Sequence, residues 1–233
     1  MPGGSEVLQN HLLGAMPPEA LQQWRPLMQS VPLHAGQTLH APGDTPAAVY
    51  FPTTAIVSLL LAADANVETE FAVVGSEGMV GVSVLMGGGP TPVRAVVQTA
   101  GEAWRIGAAE VRPEFDRSGA TLQLMLRYTQ ALITQMAQTA VCNRHHTVAQ
   151  QLCRWLLMRL DRLPAQEMTM TQESIASLLG VRREGITGAA RRLRVEGVVR
   201  YSRGHVQVLD RAALEQRACE CYGVVSKARE APG

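Results

Sequence analysis

Aromatic residues are scarce in this 233-residue chain, at 4%, which argues against a platform for stacking single-stranded bases. No run of about 18 apolar residues occurs, so no membrane-spanning helix and no membrane partner are expected. The four cysteines are few for this length and all lie at or beyond Cys142, which is not the pattern of a disulfide framework. The opening Met1-Pro2-Gly3-Gly4-Ser5-Glu6 has no basic stretch before an apolar core. A secretory signal is therefore not expected, and the inferred location is cytoplasmic. What the chain does have is 46% hydrophobic and 18% charged residues, the balance of a soluble globular protein. Its length suits two modest domains better than one.

The net charge of +1 conceals an asymmetry. Residues 1–113 carry four arginines against nine acids, a net −5, whereas residues 144–211 carry twelve arginines and no lysine against six acids, a net +6. A basic stretch following an acidic one is consistent with a polyanionic partner for the second part. Arginines that merely solvate helix surfaces would give the same count.

From Pro32 to Arg105, Val-, Leu- and Thr-rich runs are separated by turn residues such as Ala35-Gly36, Pro42-Gly43-Asp44, Gly75-Ser76 and Gly87-Gly88-Gly89-Pro90. Short strands at that spacing predict a β-sandwich or β-roll. Strands are expected at Val49–Phe51, Ile56–Leu61, Phe71–Val74 and Val93–Gln98. The glycine run lacks the GxxxxGK[ST] pattern of a phosphate loop and reads as a hairpin turn. Beyond Gly119 there is no Gly or Pro until after Arg162, and apolar residues take helical spacing. Leu122, Met125, Thr129, Leu132, Met136 and Thr139 fall alternately three and four apart, the a/d spacing of a seam between two helices. That seam is the expected dimer interface, with an intramolecular core as the alternative. A further helix should run from Thr147 to before Pro164.

Residues 168–209 carry the most specific pattern. Thr171 is a good N-cap for a short helix whose buried face is Ile175, Leu178 and Leu179. Gly180 supplies a tight turn, and a second helix follows from Arg182 to Glu196, with Ile186, Ala189, Ala190 and Leu193 facing a core. Val198–Tyr201 and His205–Val208 form a hairpin around Ser202-Arg203-Gly204. Helix, turn, helix and basic-tipped hairpin describe a winged helix-turn-helix. In such a motif the start of the second helix meets base edges in the major groove. Arg183 can fork onto guanine and Glu184 can accept from a cytosine amino group. Thr171, Gln172, Arg182, Thr187, Arg191, Arg192 and Arg203 complete the surface expected to face double-stranded DNA.

In this order of elements, and in Thr171-Gln172-Glu173, Leu179-Gly180-Val181 and Arg183-Glu184, the chain resembles the cyclic-AMP receptor and fumarate–nitrate regulator (Crp–Fnr) family. Leu33-His34-Ala35-Gly36-Gln37 and Pro42-Gly43-Asp44 are similar to that family's first β-roll turns. The resemblance implies an α+β chain with a cupin-like, cyclic-nucleotide-binding-type β-roll (1–118), a dimerisation helix (119–143) and a winged helix-turn-helix domain (144–233). It also implies a homodimer on a two-fold symmetric operator, contact with RNA polymerase, and no enzymatic activity. Two positions depart from the pattern: Arg182 stands where the family usually has Ser or Thr, and Gly188 where it usually has an arginine.

The effector site is degenerate. The stretch Gly78-Met79-Val80-Gly81-Val82-Ser83 has Val82 where nucleotide-binding members place a ribose-binding glutamate. Arg94 falls roughly where their phosphate-binding arginine does. Val82, Ser83 and Arg94 are thus the candidate effector residues, and cyclic AMP is not the expected ligand, because the ribose hydroxyls would lose a charge-assisted acceptor. No cofactor and no metal are expected. Cys219-Glu220-Cys221 reads as too tight for a metal site, and Cys142 near His145 and His146 reads as a partly buried thiol beside solvated histidines. A cupin-like enzyme is the alternative from another class, but His34, His40, Glu68, Glu70, Glu77 and Glu102 form no recognisable ligand pattern. An adaptor using the winged helix for protein contacts is a third reading.

Overall fold

A computed structural model describes residues 7–64, 67–117, 119–164, 166–202 and 204–230. The chain divides into two compact units. The first comprises 1–59, 72–134 and 228–233; the second comprises 60–71 and 135–227. The division falls inside the long helix, and the end of one β-hairpin belongs to the second unit.

The first unit opens with two short helices, α1 (His11–Gly14) and α2 (Pro18–Trp24). Strands β1 (Gln29–Leu33), β2 (Thr38–His40), β3 (Ala48–Pro52), β4 (Ile56–Asp64), β5 (Val67–Val74), β6 (Arg94–Thr99) and β7 (Gly101–Gly107) follow. They form one sheet in the order β1-β7-β3 and another in the order β2-β6-β4-β5. The strand expectations thus hold, and the two sheets form the β-roll. β1 and β3 both pair antiparallel with β7, aligning Tyr50 and Gln29 with Arg105. α3 (Ala108–Arg117) leads into α4 (Gly119–His145), the long helix.

The core of this unit gathers Leu12, Leu13, Trp24, Phe51, Ile106, Leu124 and Met125. Trp24 meets Phe51 edge-on at 6.1 Å between centroids, a favoured aromatic geometry. Two polar side chains at this core are firmly bonded. Tyr128 Oη donates to the Met79 carbonyl at 2.8 Å. A Cβ on Gly78 would fall 2.3 Å from the Tyr128 ring, so only glycine fits there. Asn10 is fully buried. Its Nδ2 donates to Pro52 O (2.8 Å) and Gly78 O (2.9 Å), and its Oδ1 caps α1 through the Leu13 N–H.

Three residues of the expected dimer seam are buried within the chain, and Met136 is half-buried. Met125 is 1% exposed and belongs to the core, and Leu132 and Thr139 are buried as well. Leu122 packs partly against the same core, and Thr129 turns its hydroxyl back onto the Met125 carbonyl. The chain thus uses part of the stripe internally, at Met125, Leu132 and Thr139. The large apolar side chains left in solvent on α4 are Leu126 (51% exposed), Ile133 (48%) and Val141 (45%).

In the second unit, α5 (Val148–Leu160) is the central element. Thr147 and Gln150 form a reciprocal capping box at its start, and every residue from Gln151 to Leu160 is buried. Around it lie β8 (Glu167–Thr169), α6 (Gln172–Leu179), α7 (Arg183–Val195), β9 (Val199–Ser202), β10 (His205–Val208), α8 (Arg211–Arg217) and α9 (Cys221–Glu230). The three strands form a sheet in the order β8-β10-β9. Two arginines of α5 are buried with it. Arg159 Nη1 and Nη2 donate to the Glu70 carboxylate at 3.0 and 2.6 Å, and Trp155 Nε1 adds a third bond at 3.1 Å. The Arg159 guanidinium also lies 3.8 Å over the Trp155 ring. Arg154 donates to Thr139 Oγ1 at 2.7 Å.

Replacing Asn10 by Ala removes the α1 cap and leaves two buried carbonyls unpaired. The expected loss is about 2–4 kcal/mol, read as a lowered urea midpoint of the purified chain. A midpoint equal to that of the parent protein would contradict the role given to this side chain.

Candidate nucleic-acid interface

The helix-turn-helix is built locally. Thr171 takes an extended backbone (φ −76°, ψ 153°), and its Oγ1 accepts the Ser174 N–H at 3.1 Å, capping α6. Glu173 lies in the first turn, where the helix dipole favours an acid. α6 ends at Gly180 in the left-handed region (φ 67°, ψ 32°). A Cβ there would come 2.9 Å from Thr69 Oγ1, so both backbone conformation and space call for glycine. α7 then starts at Arg183. Arg182 at its N-cap makes no side-chain capping bond.

α7 is strongly two-faced. Ile186, Ala189, Ala190 and Leu193 are buried, whereas Arg182, Arg183, Glu184, Thr187, Arg191 and Arg192 are exposed. Two of the expected contacts are drawn together across the turn: Thr187 Oγ1 donates to Gln172 Oε1 at 2.8 Å, fixing the angle between α6 and α7. Arg183 Nη1 lies 3.3 Å from Glu173 Oε2, but both side chains are well exposed, at 65% and 74%. Such a surface pair is weak, so the guanidinium is available to a stronger acceptor. A Cβ on Gly188 would meet nothing within 4 Å, so packing does not demand glycine at that point. Tyr201 Oη donates to Met170 O at 2.6 Å, and Met170 N–H donates to Gly204 O at 2.6 Å. These bonds tie the β9–β10 wing to the segment that leads into α6. Burial raises the Tyr201 phenol above its ordinary range, so it keeps its proton and its donor role. Arg203, expected at the wing tip, lies outside the described residues.

The basic reading of residues 144–211 is narrowed by burial. Arg154, Arg159 and Arg162 are buried, and Arg211 pairs with Asp161 and Glu215. The outward arginines are those of α7 and its borders, Arg200 on β9, and Arg144 at the end of α4.

The candidate effector residues lie in the first unit. Val82 opens a 3-10 turn (Val82–Val84) after Gly81 and packs partly against the core, with Ser83 half-buried beside it. Arg94 begins β6, its Nη2 3.3 Å from Thr38 Oγ1. Two side chains of the cupin alternative are engaged elsewhere: His40 Nδ1 hydrogen-bonds Val93 O at 2.9 Å, and Glu70 pairs with Arg159.

A β-roll and a winged helix-turn-helix in one chain define the class of a two-domain transcriptional regulator. Sequence comparison agrees: residues 30–118 match the cyclic nucleotide-binding domain and residues 150–217 match the Crp-like helix-turn-helix domain. The chain belongs to the Crp–Fnr family of transcriptional regulators, with a helix-turn-helix DNA-binding domain. Among solved structures it is similar to a Crp/Fnr-family regulator from Eubacterium rectale (TM-score 0.70, 17% identity, 90% of this chain and 98% of that one). It is also similar to FixK2 from Bradyrhizobium japonicum (0.70, 15%, 82% and 98%). A third is the c-di-GMP-responsive global regulator CLP from Xanthomonas campestris (0.66, 16%, 82% and 98%). At these identities the likeness is one of fold. No curated protein matches in sequence. Among the described residues, no helix is long and apolar enough to cross a membrane.

Gly180→Ala forces a side chain into left-handed backbone and against Thr69. It is expected to cost about 1–3 kcal/mol and to lower the affinity for duplex DNA. Thermal unfolding and fluorescence anisotropy on a labelled duplex check the two effects. Unchanged values in both would contradict the close approach.

Proposed function

We propose that this chain works as a cytoplasmic homodimer that recognises a two-fold symmetric DNA operator under control of a signal received in the β-roll, without enzymatic activity of its own. The observation that carries the reading is α7, which buries one face on its own domain and leaves Arg183, Glu184, Thr187 and Arg191 in solvent from its first turn onward. Helix N-termini so presented enter the major groove, where Arg183 pairs with guanine and Glu184 with a cytosine amino group. Thr171, Gln172, Arg182, Arg192 and Arg203 serve phosphate positioning. RNA polymerase is the further partner by family analogy.

The exposed face of α4 supports the dimer. Leu126 and Ile133 lie one heptad apart, with Ala137 and Ala140 exposed in the same stripe. A second copy of α4 is the matching partner for such a seam, and it sets two recognition helices one DNA turn apart, roughly 34–36 Å. The signal is not cyclic AMP. Val82 offers no carboxylate to a ribose, so Val82, Ser83 and Arg94 would have to hold a different effector.

Selection from a random duplex library is expected to return a two-fold symmetric sequence. On it, Arg183→Ala should cost about 1–3 kcal/mol and relax preference at one base pair of each half-site. A variant with intact discrimination would exclude α7 as the reading helix. Ile133→Glu should sediment as a monomer and bind the operator weakly. A dimer of normal affinity would move the interface elsewhere. Added cyclic AMP should leave operator affinity unchanged.

A further inference from the structure

The sequence separates Cys142 and His146 from Cys219 and Cys221 by more than seventy residues, and the fold brings all four together. The pair at the end of α4 is one helical turn apart. His146 N–H donates to Cys142 O at 3.0 Å, which continues the helical turn past the last residue of α4. Gln151 Nε2 then holds His146 O at 2.9 Å. After α8 the backbone is extended at Ala218 (φ −72°, ψ 159°), and Cys221 begins α9. This turn out of one helix and into the next lets two thiols separated by one residue point to the same place. All three cysteines are buried and unoxidised.

We propose that Cys142, His146, Cys219 and Cys221 form a tetrahedral site for a divalent metal ion of the zinc class, with three thiolates and one imidazole as ligands. The donor atoms of the four side chains all lie within 4.8 Å of one another. Cys142 Sγ and Cys219 Sγ are 3.5 Å apart, and Cys221 Sγ is 3.6 Å from His146 Nδ1. Zinc bonds of about 2.3 Å to sulfur and 2.0–2.1 Å to nitrogen span tetrahedral edges of roughly 3.5–3.8 Å. The two separations therefore have the size of such edges, and both are far longer than a disulfide bond of about 2.05 Å. His146 is oriented for ligation: Nε2 faces Glu220 Oε1 at 3.2 Å. With the proton on Nε2, Nδ1 turns its lone pair toward the thiols, the carboxylate–histidine arrangement found behind metal-binding imidazoles.

A second observation is electrostatic. Arg154 is buried and acts on Cys142 and Cys221. It donates to the neutral Thr139 hydroxyl, its Nε finds no acceptor, and among the described residues no carboxylate pairs with it. A buried guanidinium needs a counter-charge. Three thiolates, a neutral imidazole and a divalent ion sum to one negative charge, which this site would place beside it. The ion would fasten the end of α4 to the α8–α9 junction within the second unit.

The test uses the full-length chain, reduced, stripped by a chelator and titrated anaerobically with cobalt(II) alone. Stoichiometric uptake is expected, with thiolate-to-cobalt charge-transfer absorption and the intense visible bands of a tetrahedral ion, displaced by zinc. Cys153→Ser should leave the titration unchanged. Cys221→Ser should abolish the tetrahedral spectrum. Glu220→Gln, an exposed substitution that leaves the ligands and the buried core in place, should weaken cobalt about 10–100-fold through the imidazole. A stripped chain that takes up no cobalt overturns the proposal. So does one in which all four thiols stay reactive with cobalt present, or in which Cys142 and Cys219 form a disulfide in place of uptake. A Glu220→Gln chain with parental cobalt affinity would remove the histidine from the ligand set.

Discussion

The second unit is organised around one buried charge pair. Glu70, from strand β5, reaches Arg159 of α5 with both carboxylate oxygens and accepts from Trp155 as well. Such a pair adds little net stability over an apolar replacement, because both ions had to leave water. Its weight lies in what it forbids. Displacing residue 70 from α5 would strip the buried Arg159 guanidinium of a carboxylate that it meets with two bonds, a penalty of about 3–5 kcal/mol. Strand β5 is therefore held against α5 at Glu70. With it comes Thr69, whose side chain fills the space where any residue other than Gly180 would put a Cβ. The turn between α6 and α7 is shaped partly by a residue more than a hundred positions earlier.

This geometry makes α5 the scaffold on which the reading helix is set. Leu152 and Leu156 share an apolar cluster with Ile175 of α6, Ile186, Ala190 and Leu193 of α7, and Val199 and Val206 of the wing. Val148 touches the position where a Cβ on Gly185 would stand, at 3.4 Å. A helix buried all round needs partners for every polar group it carries. α5 finds most of them through Glu70, Thr139 and the carbonyls at the end of α4, while Arg154 Nε and Gln151 Oε1 stay without a hydrogen-bond partner. The outer face of α7 is spared any part in this packing, and so Arg183, Glu184, Thr187 and Arg191 remain in solvent.

Local patterns were legible and long-range pairings were not. A helix start at Thr147, the cap at Thr171, the Gly180 turn and the buried faces of α6 and α7 follow from spacing within about fifteen residues, and they stand where the sequence puts them. Net charge by segment was a poorer guide, because counting cannot tell Arg159, buried against Glu70, from Arg191 in solvent. The α4 stripe is ambiguous for a related reason. Residues three and four apart define a face but not what covers it, and Met125 belongs to the same core as Leu12 and Trp24. The cysteines were hardest of all, since a C-x-C pair looks isolated until the fold returns it to Cys142 and His146.

Gly188 brings these strands together at the reading surface. Glu184, Arg191 and Arg192 on the same side of α7 are exposed and a side chain would meet no obstacle, so neither packing nor backbone conformation explains the glycine. The cost of glycine in a helix interior, about 1 kcal/mol relative to Ala, is uncompensated within the chain. On the proposed DNA-reading role, a Cα without a side chain would let the helix backbone approach a groove wall more closely than an arginine there, and discrimination would fall more heavily on Arg183 and Glu184. Those two sit at the start of α7, where the angle of the helix matters most and where the Thr187–Gln172 bond and the Gly180 turn hold it. A reading head with fewer side chains depends more on the rigidity of its mounting, and α5, locked by Glu70, is that mounting.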